Sequence, residues 1–235
     1  MGFLSFRLPQ SEACLLCHDS GADKGLCDAC LKDLHVSASD AANVCPRCGG
    51  TGAGAAVCGQ CQKEPPPFER LWASVEYAPP VSGILHRFKH RRDRSLAAPL
   101  VSLMASLPPP WLDDVRIDTV LAMPLSRERR LFRGFNQCDE LAEALAKLYG
   151  WQVLPHNSVF RQASAPQSTL PFEARKKNVR GAFRVDACVK ERNVLLIDDV
   201  LTSGETLREC SRMLRRSGSG SVFCWTLAIS KLKIF

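Results

Sequence analysis

From residue 71 onward, apolar positions fall into short runs and helical stripes. LWASVEY (71–77) reads as a strand. Val81, Ile84, Leu85 and Phe88 then recur at i, i+3, i+4 and i+7, one apolar face of a helix whose opposite face carries His86, Arg87, Lys89, His90, Arg91 and Arg92. Residues 94–107 read as a second helix, ended by Pro108–Pro110. IDTVLAM (117–123) is a strand, PLSRERRLFRGFNQ (124–137) a long basic loop, and Leu141, Leu145 and Leu148 mark a helix that Gly150 stops. WQVL (151–154) and SVFR (158–161) offer one or two more strands. VLLI (194–197) is a continuous apolar run, as expected of a central parallel strand covered on both faces. Residues 205–217 form a helix with Leu207, Cys210 and Leu214 inward, and SVFCWTLAI (221–229) supplies the last strand. This alternation predicts an α/β architecture, a parallel sheet with helices on both faces. Ligands of such sheets bind beyond the carboxyl ends of the strands.

The first 61 residues follow another rule. Eight of the twelve cysteines lie there as four CxxC pairs: Cys14/Cys17, Cys27/Cys30, Cys45/Cys48 and Cys58/Cys61. Each CxxC turn aims two sulfurs at one point, and two turns complete the four-thiolate tetrahedron of a structural zinc site. CPRCGGTGAGAAVCGQC holds too few large apolar side chains for a core, so metal must stand in for one. Two zinc ions are expected. Grouping in sequence order is the most economical, and a cross-braced grouping of first with third and second with fourth pairs stays open. Pro65–Pro67 stiffen a linker, giving a zinc-binding domain at 1–63 and an α/β domain at 64–235.

Charge follows the same division. Residues 1–61 hold four Lys/Arg and six Asp/Glu, a balance of −2, and the remainder holds 27 and 18, a balance of +9. A basic body suggests an anionic partner, phosphate or nucleic acid. No apolar run approaches the ~18 residues of a membrane helix, and no signal-peptide core is evident. Cys138, Cys188, Cys210 and Cys224 read as small core residues, so a cytoplasmic, reducing location is expected.

NVLLIDDVLTSGET (193–206) carries the chemistry. Asp198 and Asp199 end the apolar run, and two carboxylates there are costly unless something polar or cationic meets them. Thr202, Ser203, Gly204, Glu205 and Thr206 then open a helix whose backbone N–H groups form an anion cradle. A phosphate would take the cradle and vicinal sugar hydroxyls the carboxylates, which together describe a ribose 5-phosphate. No lysine follows Gly204, as a P-loop would need, and no GxGxxG is present.

IDDVLTSGETL resembles the 5-phosphoribosyl-1-pyrophosphate (PRPP) motif of type I phosphoribosyltransferases. With PLSRERRLFRGFNQ, QSTLPFEARKKNVRGAF (167–183) and the cysteine head, the chain resembles the ComF family, competence-related proteins with a double zinc ribbon on a type I phosphoribosyltransferase fold. The resemblance implies a role in DNA uptake and natural transformation, with other competence proteins as partners. It places Asp198, Asp199 and Glu205 at the reacting centre. It puts Asp198, Asp199 and Thr202 to Thr206 on PRPP, and Arg127, Arg129, Arg130 and Arg133 on the pyrophosphate. Arg175, Lys176 and Lys177 would lie on a lid spanning 163–181, and Mg²⁺ would accompany PRPP. No nucleophile set is evident and the acceptor is not legible, which leaves two function classes. One is a PRPP-binding module adapted to DNA. The other is a working phosphoribosyltransferase or PRPP hydrolase.

Arg87, Lys89, Arg91 and Arg92, with Phe132, Arg133 and Phe135, are the candidates for single-stranded DNA. Arginines interleaved with aromatics suit phosphate neutralisation plus base stacking. The competing reading gives the arginines of 127–133 to pyrophosphate and the phenylalanines to the core.

Overall fold

The structure is a computed structural model that describes residues 13–20, 22–156, 158–161, 182–185 and 189–230. Arg175, Lys176, Lys177, Cys188 and the expected lid therefore lie outside the described residues.

The head is built twice from one plan, since Cys14 to Cys45 and Cys30 to Cys61 both step by 31 residues. In the first copy Cys14 N–H donates to the Asp19 carbonyl at 2.8 Å, and in the second Cys45 N–H donates to the Gly50 carbonyl at 2.8 Å. A short helix follows each second knuckle, α1 (Asp28–Leu34) after Cys27 and α2 (Gly59–Lys63) after Cys58. At the turn of the second copy Gly49 has φ +71°, and a Cβ there would meet Leu71 Cδ2 at 3.0 Å. Glycine thus lets the second ribbon approach β1 (Arg70–Glu76), where Leu71 N–H donates to the Pro46 carbonyl at 3.1 Å.

The body follows as α3 (Val81–His90), α4 (Ala97–Ser106), β2 (Thr119–Ala122), α5 (Arg127–Arg133) and α6 (Gln137–Tyr149). After them come β3 (Gln152–Val153), β4 (Val159–Arg161), β5 (Phe183–Val185), β6 (Val194–Leu201), α7 (Glu205–Arg216) and β7 (Val222–Ile229). Five parallel strands form one sheet in the order β1-β7-β6-β2-β3, with VLLI at its centre as expected. From β2 the chain moves outward to β3, and from β6 it moves the other way to β7. Right-handed crossovers in opposite directions put α6 and α7 on opposite faces and open a crevice between β2 and β6. Val194 to Ile197, Val222 and Trp225 are fully buried in the sheet. In the sheet Trp225 Nε1 donates to Ser74 Oγ at 2.9 Å, and Ser74 Oγ to the Leu107 carbonyl at 2.9 Å. Among the described residues no helix is long and apolar enough to cross a membrane.

Three expectations change. Residues 127–133 are a helix, not a loop: Ser126 Oγ caps its start, accepting from Arg129 N–H, and Gly134 ends it with φ +80°. Both signals stood in the sequence, but a run of charged residues hides helical periodicity. Leu148 is 54% exposed, because α6 buries only the row through Leu141 and Leu145. SVFR does not join the main sheet. Its β4 pairs antiparallel with β5 in a separate two-stranded ribbon.

Candidate functional site

Strand β6 runs through the acid pair rather than ending on it. Toward β2 its ladder stops at Ala122 opposite Ile197, whereas toward β7 it continues to Leu201 opposite Ile229. Asp198 and Asp199 are therefore the first residues of β6 past the end of β2, at the lip of the crevice. Asp199 is 4% exposed and Asp198 half-buried.

Each acid has a distinct partner. Lys89 Nζ lies 2.9 Å from Asp199 Oδ1, with the lysine side chain itself only 17% exposed. Asp198 Oδ1 accepts from Asp199 N–H at 2.9 Å and from the Cys138 thiol at 3.4 Å. Burial, then the neighbouring Asp199 charge, push the Asp198 carboxyl up to about 7, and burial also drives the Cys138 thiol well above its usual range. Asp199 Oδ2 is buried with no hydrogen-bond partner. A buried carboxylate oxygen left unmatched is the kind of acceptor that a ligand hydroxyl satisfies.

The turn after β6 completes the site. Gly204 takes φ +74° at the cap of α7, and a side chain would be strained there. Thr202 and Ser203 are exposed, and Ser203 Oγ accepts from Glu205 N–H at 3.5 Å. Asp198, Thr202, Gly204 and Thr206 line one small hollow, so carboxylate and cradle share a cavity. Burial and the nearby Arg133 charge weigh against the charge on Arg129, and burial and Arg129 weigh against that of Arg161, which Asp198 supports. Arg130 is held by Asp139 at 2.7 Å and Arg133 by Gln137 at 2.9 Å.

The two basic stretches meet. Arg92 donates to the Phe132 carbonyl, the Phe88 and Phe135 rings lie 5.5 Å apart, and the Arg94 guanidinium sits 5.9 Å from the Phe135 centroid. His90 loses basicity through burial and the nearby Arg133, His86 and Lys89 charges. Phe132 is 74% exposed and Phe135 half-buried, so the two phenylalanines divide between surface and core. Arg91 and Arg92 are exposed, and Arg87 is tied to Asp93 at 2.9 Å. Lys89 departs from its expected place on the outer basic face. It follows Leu85 by four residues, on the edge of the apolar row, and turns inward. Cys138, read as plain core, and Arg161 were the other groups the sequence did not mark. Only contacts across the sheet bring them to the acids.

Both cysteine clusters form in sequence order. The sulfurs of Cys14, Cys17, Cys27 and Cys30 lie within 4.8 Å of one another, and so do those of Cys45, Cys48, Cys58 and Cys61. Sulfur separations of 3.7 Å for Cys17–Cys27 and 3.8 Å for Cys48–Cys58 match the roughly 3.8 Å edge of a tetrahedron with Zn–S bonds of about 2.3 Å. Cys27 N–H points at Cys14 Sγ (3.5 Å) and Cys58 N–H at Cys45 Sγ (3.3 Å), donors that stabilise thiolates. The donor sets fit structural zinc.

The family comparison agrees on the zinc-binding head. The double zinc ribbon domain family matches residues 3–62. The DNA utilization protein YhgH of Salmonella typhi is 32% identical over 86% of this chain and 89% of its own. Competence protein F of Haemophilus influenzae is 29% identical over 97% of this chain and 99% of its own. Among solved structures, adenine phosphoribosyltransferase from Thermoanaerobacter pseudethanolicus matches 60% of this chain and 83% of its own at 15% identity and a TM-score of 0.35.

Proposed function

Because the chain belongs to the ComF family of competence and DNA utilization proteins, we propose that it binds PRPP, or a related ribose 5-phosphate ligand, in the β2/β6 crevice and serves DNA uptake and natural transformation. The observation that carries this reading is the hollow shared by Asp198 and the Thr202–Thr206 turn. The turn takes the 5-phosphate through backbone N–H groups and the hydroxyls of Thr202, Ser203 and Thr206. Asp198 and Asp199 accept the vicinal ribose hydroxyls, and the orphaned Asp199 Oδ2 gains a partner. Arg127, Arg129, Arg130 and Arg133 on α5 would serve the pyrophosphate, and Glu205 the reacting carbon. Mg²⁺ would be held mainly by the ligand's own oxygens beside the acid pair and would neutralise pyrophosphate charge. Lys89 is the counter-ion of Asp199 at the sugar site. Eight cysteines arranged as thiolate ligands fit a reducing, cytoplasmic setting.

The face where α3 meets α5, with Arg91, Arg92, Arg133 and exposed Phe132, supports contact with single-stranded DNA: cations for phosphates and a ring for a base. Calorimetric titration with PRPP in Mg²⁺, with ribose 5-phosphate and pyrophosphate as controls, tests the site. Binding of PRPP well above either control is expected. Absence of binding by all three would remove the sugar-phosphate reading.

A further inference from the structure

A second hollow opens one strand away from the acid pair, at the carboxyl ends of β2 and β3. It is a cavity of about 270 Å³. That lies near the lower end of the roughly 300–1,000 Å³ of small-molecule clefts, room for one ring system but not for two stacked ones. Its lining is apolar at Leu121, Pro124, Val153 and Leu154 and cationic at Arg127, Arg130 and Arg161, with His156 beside them. Phe160 lines the opening and is 45% exposed, an aromatic surface left facing solvent.

The charges of the lining decide what fits. Asp139, the cavity's one carboxylate, is already engaged by Arg130 at 2.7 Å, Asn136 Nδ2 at 2.8 Å and His156 Nδ1 at 3.4 Å. Arg130 is offset by that pairing, whereas Arg127 and Arg161 add positive charge to an otherwise apolar lining. Burial and the nearby Arg129 weigh against the charge on Arg161, a cost that an anion in the cavity would relieve. A bare phosphate would waste the apolar side chains, and an uncharged apolar ligand would leave the arginines without a partner. A flat heteroaromatic body with an attached anion meets both halves.

We propose that this cavity is a nucleotide pocket, which takes a nucleobase between Val153, Leu154 and the Phe160 ring and its phosphate on Arg127 and the other cations. The nucleotide is either free or one unit of a DNA single strand. The base contacts of Val153, Leu154 and Phe160 belong to this pocket alone, whereas Arg127, which the pyrophosphate reading also uses, and Arg161, which interacts with Asp198, are shared with the acid-pair side.

The test is calorimetry on the full-length, zinc-loaded protein with adenosine 5′-monophosphate, a short oligodeoxyadenylate, and a strand of equal length without bases. Val153→Phe fills the cavity and Phe160→Ala removes the ring, and neither touches the acid pair or the TSGET turn. At least one base-bearing ligand should bind, and each variant should weaken it roughly tenfold, in keeping with loss of a base stack. PRPP affinity in Mg²⁺, measured on the same samples, should stay within about twofold, which also reports that the variants are folded. Binding of the mononucleotide that Val153→Phe and Phe160→Ala both weaken identifies a free ligand in this pocket, since its own ribose 5-phosphate could otherwise sit at the acid pair, and binding of the strand alone with the same sensitivity identifies a DNA base. The proposal is overturned if no base-bearing ligand binds, if both variants bind like wild type, or if the strand without bases binds as well as oligodeoxyadenylate while PRPP displaces the mononucleotide. Failure of the PRPP titration alone would count against the acid-pair reading and leave the pocket standing.

Discussion

Replacing Asp198 by Asn should stabilise the ligand-free protein while damaging its sugar site. Burial and the Asp199 charge raise the Asp198 carboxyl from 3.8 to about 7 in the folded chain. A group that holds its proton more tightly when folded favours the fold fully below its unfolded pKa, and that contribution is lost as pH rises through the folded value. Wild type should therefore lose stability between about pH 4 and pH 7 and change little from this source above. The shift of about three pH units corresponds to on the order of 4 kcal/mol. Asparagine carries no charge, and its Oδ1 can still accept from Asp199 N–H and the Cys138 thiol. For a chain of this size, at about 2–4 °C per kcal/mol, the variant should melt roughly 10 °C above wild type at pH 8. The gap should close toward pH 4. Thermal unfolding without ligand, at a series of pH values, reads both features, and PRPP calorimetry on the same variant should show a loss of at least about tenfold. A variant no more stable than wild type at pH 8, or a gap that does not change with pH, would refute the reasoning. Stability gained where binding is lost is the mark of a site kept strained for its ligand.

The neighbouring acid should behave in the opposite way. At pH 5, where Asp198 holds its proton and does not repel Asp199, Asp199→Asn leaves Lys89 without its counter-ion and should cost about 3 kcal/mol by urea denaturation, most of it recovered in the Lys89→Met/Asp199→Asn double variant. If the double variant is as unstable as the sum of the single changes, the pair is not the reason. Metal analysis should return two zinc ions per chain, and Cys61→Ser should remove one of them without disturbing the other. Zinc contributes on the order of 10 kcal/mol to such folds, so chelation should unfold the head. Single-stranded DNA should bind more weakly as salt rises, and Arg91→Ala or Arg133→Ala should each lower the salt slope by about 1. A flat salt dependence would exclude phosphate contacts at the α3/α5 face.

Features encoded at short range were legible in the chain itself. The zinc sites needed only the CxxC turns and their spacing, because each thiolate set closes within one ribbon and no distant element has to be placed. The sheet could be read from VLLI and SVFCWTLAI, since a strand buried on both faces must be apolar throughout. The acid pair and the TSGET turn belong to one strand–turn–helix unit, whose backbone fixes their relation. Even so, the sequence left the zinc grouping open, and the clusters resolved it in sequence order.

What depended on strand order could not be read. Lys89 looked like one more cation on a basic helix until the fold brought its ammonium to a buried carboxylate on β6. Cys138 looked like core, and only the packing of α6 brought its thiol to Asp198. The meeting of the two basic stretches and the cavity between β2 and β3 arise in the same way. Local backbone geometry follows from neighbouring residues, whereas the partner of a side chain is set by which strands lie side by side, and this chain places first beside last and sixth beside second.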